Sequence, residues 1–386
     1  VRHCYFDHNA TTPLSPEALD TLSVCLAEVY GNASSIHHFG QAAKQRLEQA
    51  RRQVAALLHA RPPEIVFVSG GTEADNLALL GVARPCAGKH VVTTTIEHPA
   101  VLQACAQIEQ EGGRVTYVPV GASGVVDPAA VADALRPETV LISVMHVNNE
   151  LGTVQPLEQI GRLARQAGVL LHSDGVQAAG KLETDVERLG VDLYSVSAHK
   201  LNGPKGVGAL YVRKGTPLRR QMHGGRHERE RRAGTENVPG AAAMGRVCEW
   251  FQQHRAEEAA RVAALRDRLE QGILRRVPAV TVNGDRARRA PNTTNLCFAG
   301  IEGEAMVIAL DLRGFAVSSG AACSSGSVEP SHVLTAIGLR REQARSSLRF
   351  SLGRGNTVEQ VDALIEAVAD AAAHLRRISV EAPTHA

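Results

Sequence analysis

Six lysines stand against thirty-six arginines in this chain. One of them, Lys200, closes the run Ser195-Val196-Ser197-Ala198-His199-Lys200 directly behind an apolar stretch. An amine at the end of a buried strand can be desolvated and lose its proton, which is what an imine-forming nucleophile requires. The plainer reading is a surface lysine in a turn. Lys205 is the competing amine, but Gly203-Pro204-Lys205-Gly206 reads as a tight turn. A second group is Leu170-Leu171-His172-Ser173-Asp174-Gly175-Val176-Gln177, an apolar strand ending in an aspartate. A carboxylate at the carboxyl end of a parallel strand points into the crevice where open α/β sheets bind ligands. There Asp174 could keep a pyridinium nitrogen protonated, and Gln177 could donate to a phenolic oxygen on the same ring. His98, in Ile96-Glu97-His98-Pro99, could stack on that ring.

The third group, Val66-Phe67-Val68-Ser69-Gly70-Gly71-Thr72-Glu73-Ala74-Asp75-Asn76, is a strand, a glycine turn and a helix start. Two glycines admit a ligand close to the backbone, and the free N–H groups of a helix's first turn attract anions. No lysine follows the glycines, so this is neither a Walker loop nor the dinucleotide pattern. Taken singly, Thr72 and Asp174 read as N-caps and His98 as a helix-entry histidine. Together, a phosphate cup, an imine lysine, a pyridinium carboxylate and a stacking histidine describe a pyridoxal-phosphate site.

Positioning these groups requires a sheet. From about residue 40 to 215 strand-like runs alternate with helix-period segments, which predicts βαβ units and a largely parallel sheet. The helix over Gln41 to His59 precedes seven strands: Glu64 to Val68, His90 to Thr94, Arg114 to Pro119, Val140 to Val144, Val169 to His172, Leu193 to Val196 and Val207 to Val212. A long helix from Ala241 to Arg276 leads into a smaller α/β region. Its expected strands are Thr294 to Phe298, Ala316 to Ser319 and Ser347 to Ser351, with helices near Glu304 to Leu312 and Thr357 to Arg376. The Arg226 to Arg232 run reads as a solvated or interfacial salt-bridge segment.

The bulk numbers agree. At 386 residues the chain exceeds the roughly 250 to 300 residues at which a single core stops growing, so two domains are expected. With 44% hydrophobic and 21% charged residues, disordered and fibrous classes drop out. No run approaches the roughly 18 apolar residues of a membrane span. A net charge of +2 and 3% aromatics supply neither a phosphate-seeking field nor stacking platforms, so no nucleic-acid partner is expected. Seven cysteines without CxxC spacing point to no disulfide framework, no zinc site and a reducing, cytoplasmic compartment. No secretory signal is expected from the first residues.

These residues also carry a resemblance. The chain is similar to the cysteine desulfurases of the nitrogen-fixation (NifS) type, within the fold-type I, class V aminotransferase superfamily. The similarity rests on Tyr5 to Pro13, Ser69-Gly70-Gly71-Thr72-Glu73, Glu97-His98-Pro99, Asn148-Asn149-Glu150, Ser197 to Lys200, Arg231 to Asn237 and Ser318 to Gly326, in that order along nearly the whole chain. It implies an α/β fold with a large domain over residues 14–255. The small domain takes residues 1–13 and 256–386 and carries a mobile cysteine loop at about 320–330.

The resemblance also implies roles. Lys200 would hold pyridoxal phosphate as an imine, with Asp174 on the ring nitrogen, Gln177 and Asn149 near the ring oxygen and His98 on the ring face. Thr72, Ser197 and His199 would join the amides of Gly71 and Thr72 on the phosphate. Thr235 would reach the phosphate of a neighbouring subunit's cofactor, making a homodimer part of the site. Asn32 and Arg349 would clamp a substrate carboxylate. L-cysteine would become L-alanine, with Lys200 or a neighbouring base removing the Cα proton, His98 assisting, and the Cys323 thiolate taking sulfur as a persulfide. The sulfur would pass to an iron–sulfur scaffold or other acceptor, and Cys323 could transiently ligate a cluster there; no resident metal is implied. Ala33 and Ala321-Ala322 depart from the usual pattern and touch no catalytic role.

Cys25, Cys86, Cys105, Cys248 and Cys297 read as small buried hydrophobes. Cys323 differs, because glycines, alanines and serines around it supply little to bury. Its thiol is expected near the free value of about 8.5 unless a neighbour activates it. A selenocysteine lyase or another class V enzyme would use the same cofactor residues without needing that thiol. A non-catalytic sulfur-trafficking subunit would not need Lys200, Asp174 and His98.

Overall fold

The computed structural model describes residues 3–86, 89–319 and 329–381. After a short strand β1 (Cys4–Tyr5) come helices α1 (Pro16–Glu28) and α2 (His38–Leu57). An alternating series follows: β2 (Ile65–Val68), α3 (Gly71–Ala83), β3 (His90–Thr94), α4 (Pro99–Gln110), β4 (Arg114–Val118), α5 (Pro128–Asp133), β5 (Thr139–Ser143), α6 (Leu157–Ala167), β6 (Leu170–Asp174), α7 (Val186–Leu189), β7 (Leu193–Ser197) and β8 (Gly208–Val212). The long helix α8 (Val238–Arg276) leads to β9 (Val280–Val282), β10 (Thr293–Phe298), α9 (Gly303–Asp311), β11 (Phe315–Ala316), α10 (His332–Ala336), α11 (Arg341–Arg345), β12 (Ser347–Ser351) and α12 (Val358–Glu381).

The expected seven-stranded, mainly parallel sheet forms in the order β2-β8-β7-β6-β5-β3-β4. Only β8 runs antiparallel to its neighbours, β2 and β7. The connection from β7 to β8, residues 198–207, is too short for a crossover helix, so the chain must double back. Alternate residues of each strand feed opposite faces. Val66 and Val68 pack with α3 and α4 on one face, while Ile65 and Phe67 pack with α2 and the first part of α8 on the other. Burial on both faces is why these strands read as apolar runs rather than as alternating ones.

Helix α8 joins two cores. Val247, Cys248 and Phe251 pack against the large sheet, whereas Val262, Leu265, Leu269 and Ile273 pack with Phe6, β10, β12 and α12. The N-terminal strand β1 pairs in parallel with β11, and β12, β10 and β9 form a three-stranded antiparallel sheet. Among the described residues no helix is long and apolar enough to cross a membrane.

Four expectations need correction. Helix α2 begins at His38, because the His37 ring caps it by accepting from the Gly40 amide. Strand β11 ends at Ala316; among the described residues that follow, Ser318 forms an isolated bridge opposite Arg349. Helix α3 is capped at Gly70, with Thr72 already inside its first turn. Finally, the Arg226 to Arg232 run is not simply a solvated face. Glu228 is buried, binds the Arg51 guanidinium through both oxygens at 2.7 and 2.8 Å, and accepts from the Phe67 amide of β2 at 2.9 Å.

Candidate active site

The carboxyl ends of β2, β3, β5, β6 and β7 open onto one cavity of about 320 Å³. Gly71, Thr72, His98, Asn149, Asp174, Gln177, Ser197, His199, Lys200 and Arg349 all line it. Asn32 and Thr235 do not: Asn32 is exposed and accepts from the Ser34 amide at 2.8 Å, and Thr235 is exposed on the loop before α8. Cys323 and residues 320–328 around it lie outside the described residues.

Lys200 ends the single turn Ala198–Lys200 that follows β7. Its Nζ donates to the carbonyl oxygens of Asn9 and Ala10 at 2.5 and 2.7 Å. Asn9 is itself fixed: its side chain donates to Asn149 O and Thr293 Oγ1 and accepts from Asn292 Nδ2. Lys205, by contrast, is exposed in the turn that ends at Gly206, where φ is +79°.

Asp174 closes β6, buried, with Oδ1 accepting from the Val176 amide at 2.9 Å. Burial, reinforced by the neighbouring Asp75 carboxylate, pushes its carboxyl up to about 6. Asp75, on α3, is pushed by burial to about 7, and its Oδ1 has no hydrogen-bond partner. Asp75, His98 and Asp174 each bring a polar atom within 4.8 Å of the other two. His98 caps α4, its Nδ1 accepting from the Ala100 amide at 3.1 Å, so the helix-entry role and the cavity-facing role coexist. Burial first, then Lys200 and His332, lower its pKa against the pull of Asp174.

At the other end of the cavity, α3 starts at Gly71 with no side chain capping it. Glu73 instead turns back to the Ser69 amide at 2.7 Å and pairs with Arg232 at 2.8 Å. A Cβ on Gly71 would meet Val176 Cγ2 at 2.9 Å, so the close approach of this turn to the strand ends needs glycine. Ser197 is buried at the end of β7. His199 is pushed by burial and nearby lysines down to about 4 and lies with Nδ1 3.1 Å from Thr11 Oγ1. Arg349, on β12, is buried; its guanidinium donates to Asp7 at 2.6 Å and to Asn149 O at 3.1 Å, while Nε has no partner.

This donor set fits pyridoxal phosphate. It combines an amine, a buried carboxylate, a ring-sized histidine face, an uncapped helix N-terminus and orphaned polar atoms on Asp75 and Arg349 in one cavity. Sequence reasoning assigned no part to Asp75, Asn9, Ala10 or Lys181. Asp75 stands one helical turn inside the phosphate-cup motif and Lys181 four residues after Gln177, spacings that put each near a residue already singled out.

Residues 4–364 match the family Aminotransferase class-V. The chain is 45% identical over 380 residues to the cysteine desulfurase IscS of Dictyoglomus turgidum, covering 98% of this chain and 96% of that protein. It is 47% identical over 378 residues to a cysteine desulfurase of Gluconacetobacter diazotrophicus, covering 97% and 94%. Among solved structures, a NifS-like protein superposes with a TM-score of 0.91 at 37% identity, covering 97% of this chain and 100% of the other. SspA in complex with cysteine superposes with a TM-score of 0.82 at 36% identity, covering 90% and 98%.

Proposed function

The chain belongs to the class-V aminotransferase family, and we propose that it is a pyridoxal-phosphate-dependent cysteine desulfurase, taking sulfur from L-cysteine onto Cys323 and releasing L-alanine. The observation that carries this reading is the meeting of Lys200, Asp174, His98 and the α3 N-terminus in one cavity, in a chain whose relatives of nearly equal length are cysteine desulfurases.

Bound in the cavity, pyridoxal phosphate supplies an electron sink next to the substrate's α-carbon. Lys200 would hold the cofactor's carbonyl carbon, and the Asp174 carboxylate would keep a proton on the ring nitrogen. Gly71 and Thr72 amides with the Thr72, Ser197 and His199 side chains would take the phosphate. His98 would cover the ring, and Asn149 and Gln177 would face the ring oxygen. Arg349, inside the cavity, would bind the substrate carboxylate; Asn32, expected as its second clamp, lies exposed outside the cavity. Lys200, or a neighbouring base, would remove the proton at the substrate's Cα. The Cys323 thiolate would then attack the substrate sulfur: a sulfur–sulfur bond forms, the Cβ–sulfur bond breaks with its electron pair kept by the substrate's carbon skeleton, and Cβ and Cα each take up a proton, giving L-alanine and a persulfide on Cys323.

We further propose a homodimer, in which Thr235 reaches the neighbouring subunit's cofactor. Exposure of Thr235, and of Leu26, Tyr30 and Ile36, supports a covering partner. Delivery of sulfur to an iron–sulfur scaffold, in nitrogen fixation or general cluster assembly, follows the same reading, as does a cytoplasmic setting for the free cysteines among the described residues. The division into 14–255 and 1–13 plus 256–386 is supported by the change of core along α8. Quantifying alanine and sulfide from L-cysteine, with and without Cys323→Ala, tests the function. Equal alanine from both proteins would favour a lyase that does not use this thiol.

A further inference from the structure

Behind the cavity a second amine is tied to the carbonyl that holds Lys200. After β6 the chain winds in tight turns, Ala178 and Ala179 donating to Gly175 O, and Lys181 and Leu182 donating to Ala178 O. Gln177 and Lys181 therefore stand one turn apart on the same face. Gly180, at φ +72°, makes the turn possible, since a Cβ there would sit 2.5 Å from Leu201 Cδ2. Lys181 Nζ donates to Gln177 Oε1 at 2.6 Å. Gln177 Nε2 in turn donates to Asn9 O at 2.9 Å, the same oxygen that accepts from Lys200.

Burial, then the Lys200 and Arg349 charges, lower Lys181 to about 7; in its protonated form it only donates, and a backbone carbonyl only accepts. With Lys181 on one side and Asn9 O on the other, the Gln177 carboxamide has one orientation that satisfies both. Its oxygen faces Lys181, its nitrogen faces Asn9, and one N–H is left over. A flipped amide would set a donor against the ammonium and an acceptor against the carbonyl, and both clashes would be partly buried and costly. Lys181 reaches a small cleft of about 40 Å³, shared with His8, Phe251 and Leu352, on the far side of Lys200. His8 is held by burial down to about 4 and adds no charge there.

We propose that Lys181 is a positioning residue that locks the Gln177 carboxamide with its nitrogen end available to the cavity, so that Gln177 can only donate to the group bound beside it. The inference rests on the reading in which that group is the ring oxygen of pyridoxal phosphate. A ring oxygen that receives a hydrogen bond holds more negative charge, and the visible absorbance of the bound cofactor reports that charge.

The test titrates pyridoxal phosphate into the apoprotein and into Lys181→Met, Lys181→Gln, Lys181→Arg, Gln177→Ala and the double variant Lys181→Met/Gln177→Ala. Visible spectra and cofactor retention are recorded for each, and thermal unfolding of each apoprotein serves as the fold control. Lys181→Met and Lys181→Gln should each shift the cofactor band and weaken retention several-fold. Lys181→Arg, which still only donates, should restore both. In the Gln177→Ala background the change at Lys181 should add nothing, since a residue acting through another loses its effect with it. A Gln177→Ala spectrum like that of the unmutated chain would overturn the Gln177 reading and the inference with it. A shifted Gln177→Ala spectrum beside an unshifted Lys181→Met spectrum would overturn the inference alone, as would a Lys181→Met shift of equal size in both backgrounds.

Discussion

Lys200 Nζ donates to the carbonyl oxygen of Asn9 at 2.5 Å across 191 residues of sequence. The carbonyl belongs to a segment pinned by Asn149, Thr293 and Asn292, so the amine is held by backbone that neither the large sheet nor its helices supply. Asn9 thus joins the lysine behind β7 to the β10 and β12 region, and the cavity is assembled only when the N-terminal segment is in place.

Lys200→Ala should abolish turnover of L-cysteine and remove the cofactor's protein-bound visible absorbance, because Lys205, the nearest rival in sequence, is exposed outside the cavity. Borohydride trapping of the cofactor on Lys205 in this variant would transfer the role to that residue.

Glu97 gives the sharpest pH prediction. Burial, then the Asp174 and Asp75 charges, raise its carboxyl from 4.5 to about 8, although Thr94 Oγ1 and the Met145 amide donate to it. The folded chain therefore holds a proton that the unfolded chain releases. Stability from this group is full below pH 4.5 and is lost as pH rises towards 8. The apoprotein with Glu97→Gln, which mimics the protonated form, should lose less stability over that window, by up to about 1.4 kcal/mol per pH unit. Urea unfolding at about pH 5, 6, 7 and 8 measures it. Parallel slopes would mean that Glu97 is ionised in the fold.

The sheet strands, helix α8 and the cavity residues at strand ends were legible because each is a local pattern, an apolar run closed by Asp174, by Ser197 or by the Gly70-Gly71 turn, whereas Asn149 and Arg349 entered only through the family resemblance. What escaped was long-range. The Arg226 to Arg232 run looks solvated because its charge pattern is local, while Arg51, which draws Glu228 inward, lies 177 residues away. Asn9 carries no signal of its own, since a backbone carbonyl acceptor is the same in every residue. Asp75 reads as an ordinary helix residue until the fold brings Asp174 beside it.

Glu228→Ala should be destabilising, by about 3 kcal/mol, since it leaves the buried Arg51 guanidinium only Glu48 and the Ile65 carbonyl and leaves the Phe67 amide without its acceptor. Replacing both partners with apolar residues, Arg51→Met with Glu228→Leu, should cost less than Glu228→Ala alone. Chemical denaturation of the three proteins decides it, and a mild effect of Glu228→Ala would show that water replaces the carboxylate.

In the proposed reaction sulfur leaves L-cysteine for Cys323. The most direct measurement is a single turnover in which one equivalent of L-cysteine is mixed with reconstituted protein, alanine is quantified, and the peptide containing Cys323 is weighed by mass spectrometry. One alanine per active site and one added sulfur atom on Cys323 are expected. With Cys323→Ser the cofactor's spectrum should still respond to L-cysteine while alanine stays at background. Full alanine release from Cys323→Ser, with no sulfur carried on Cys323 in the unmutated chain, would contradict it.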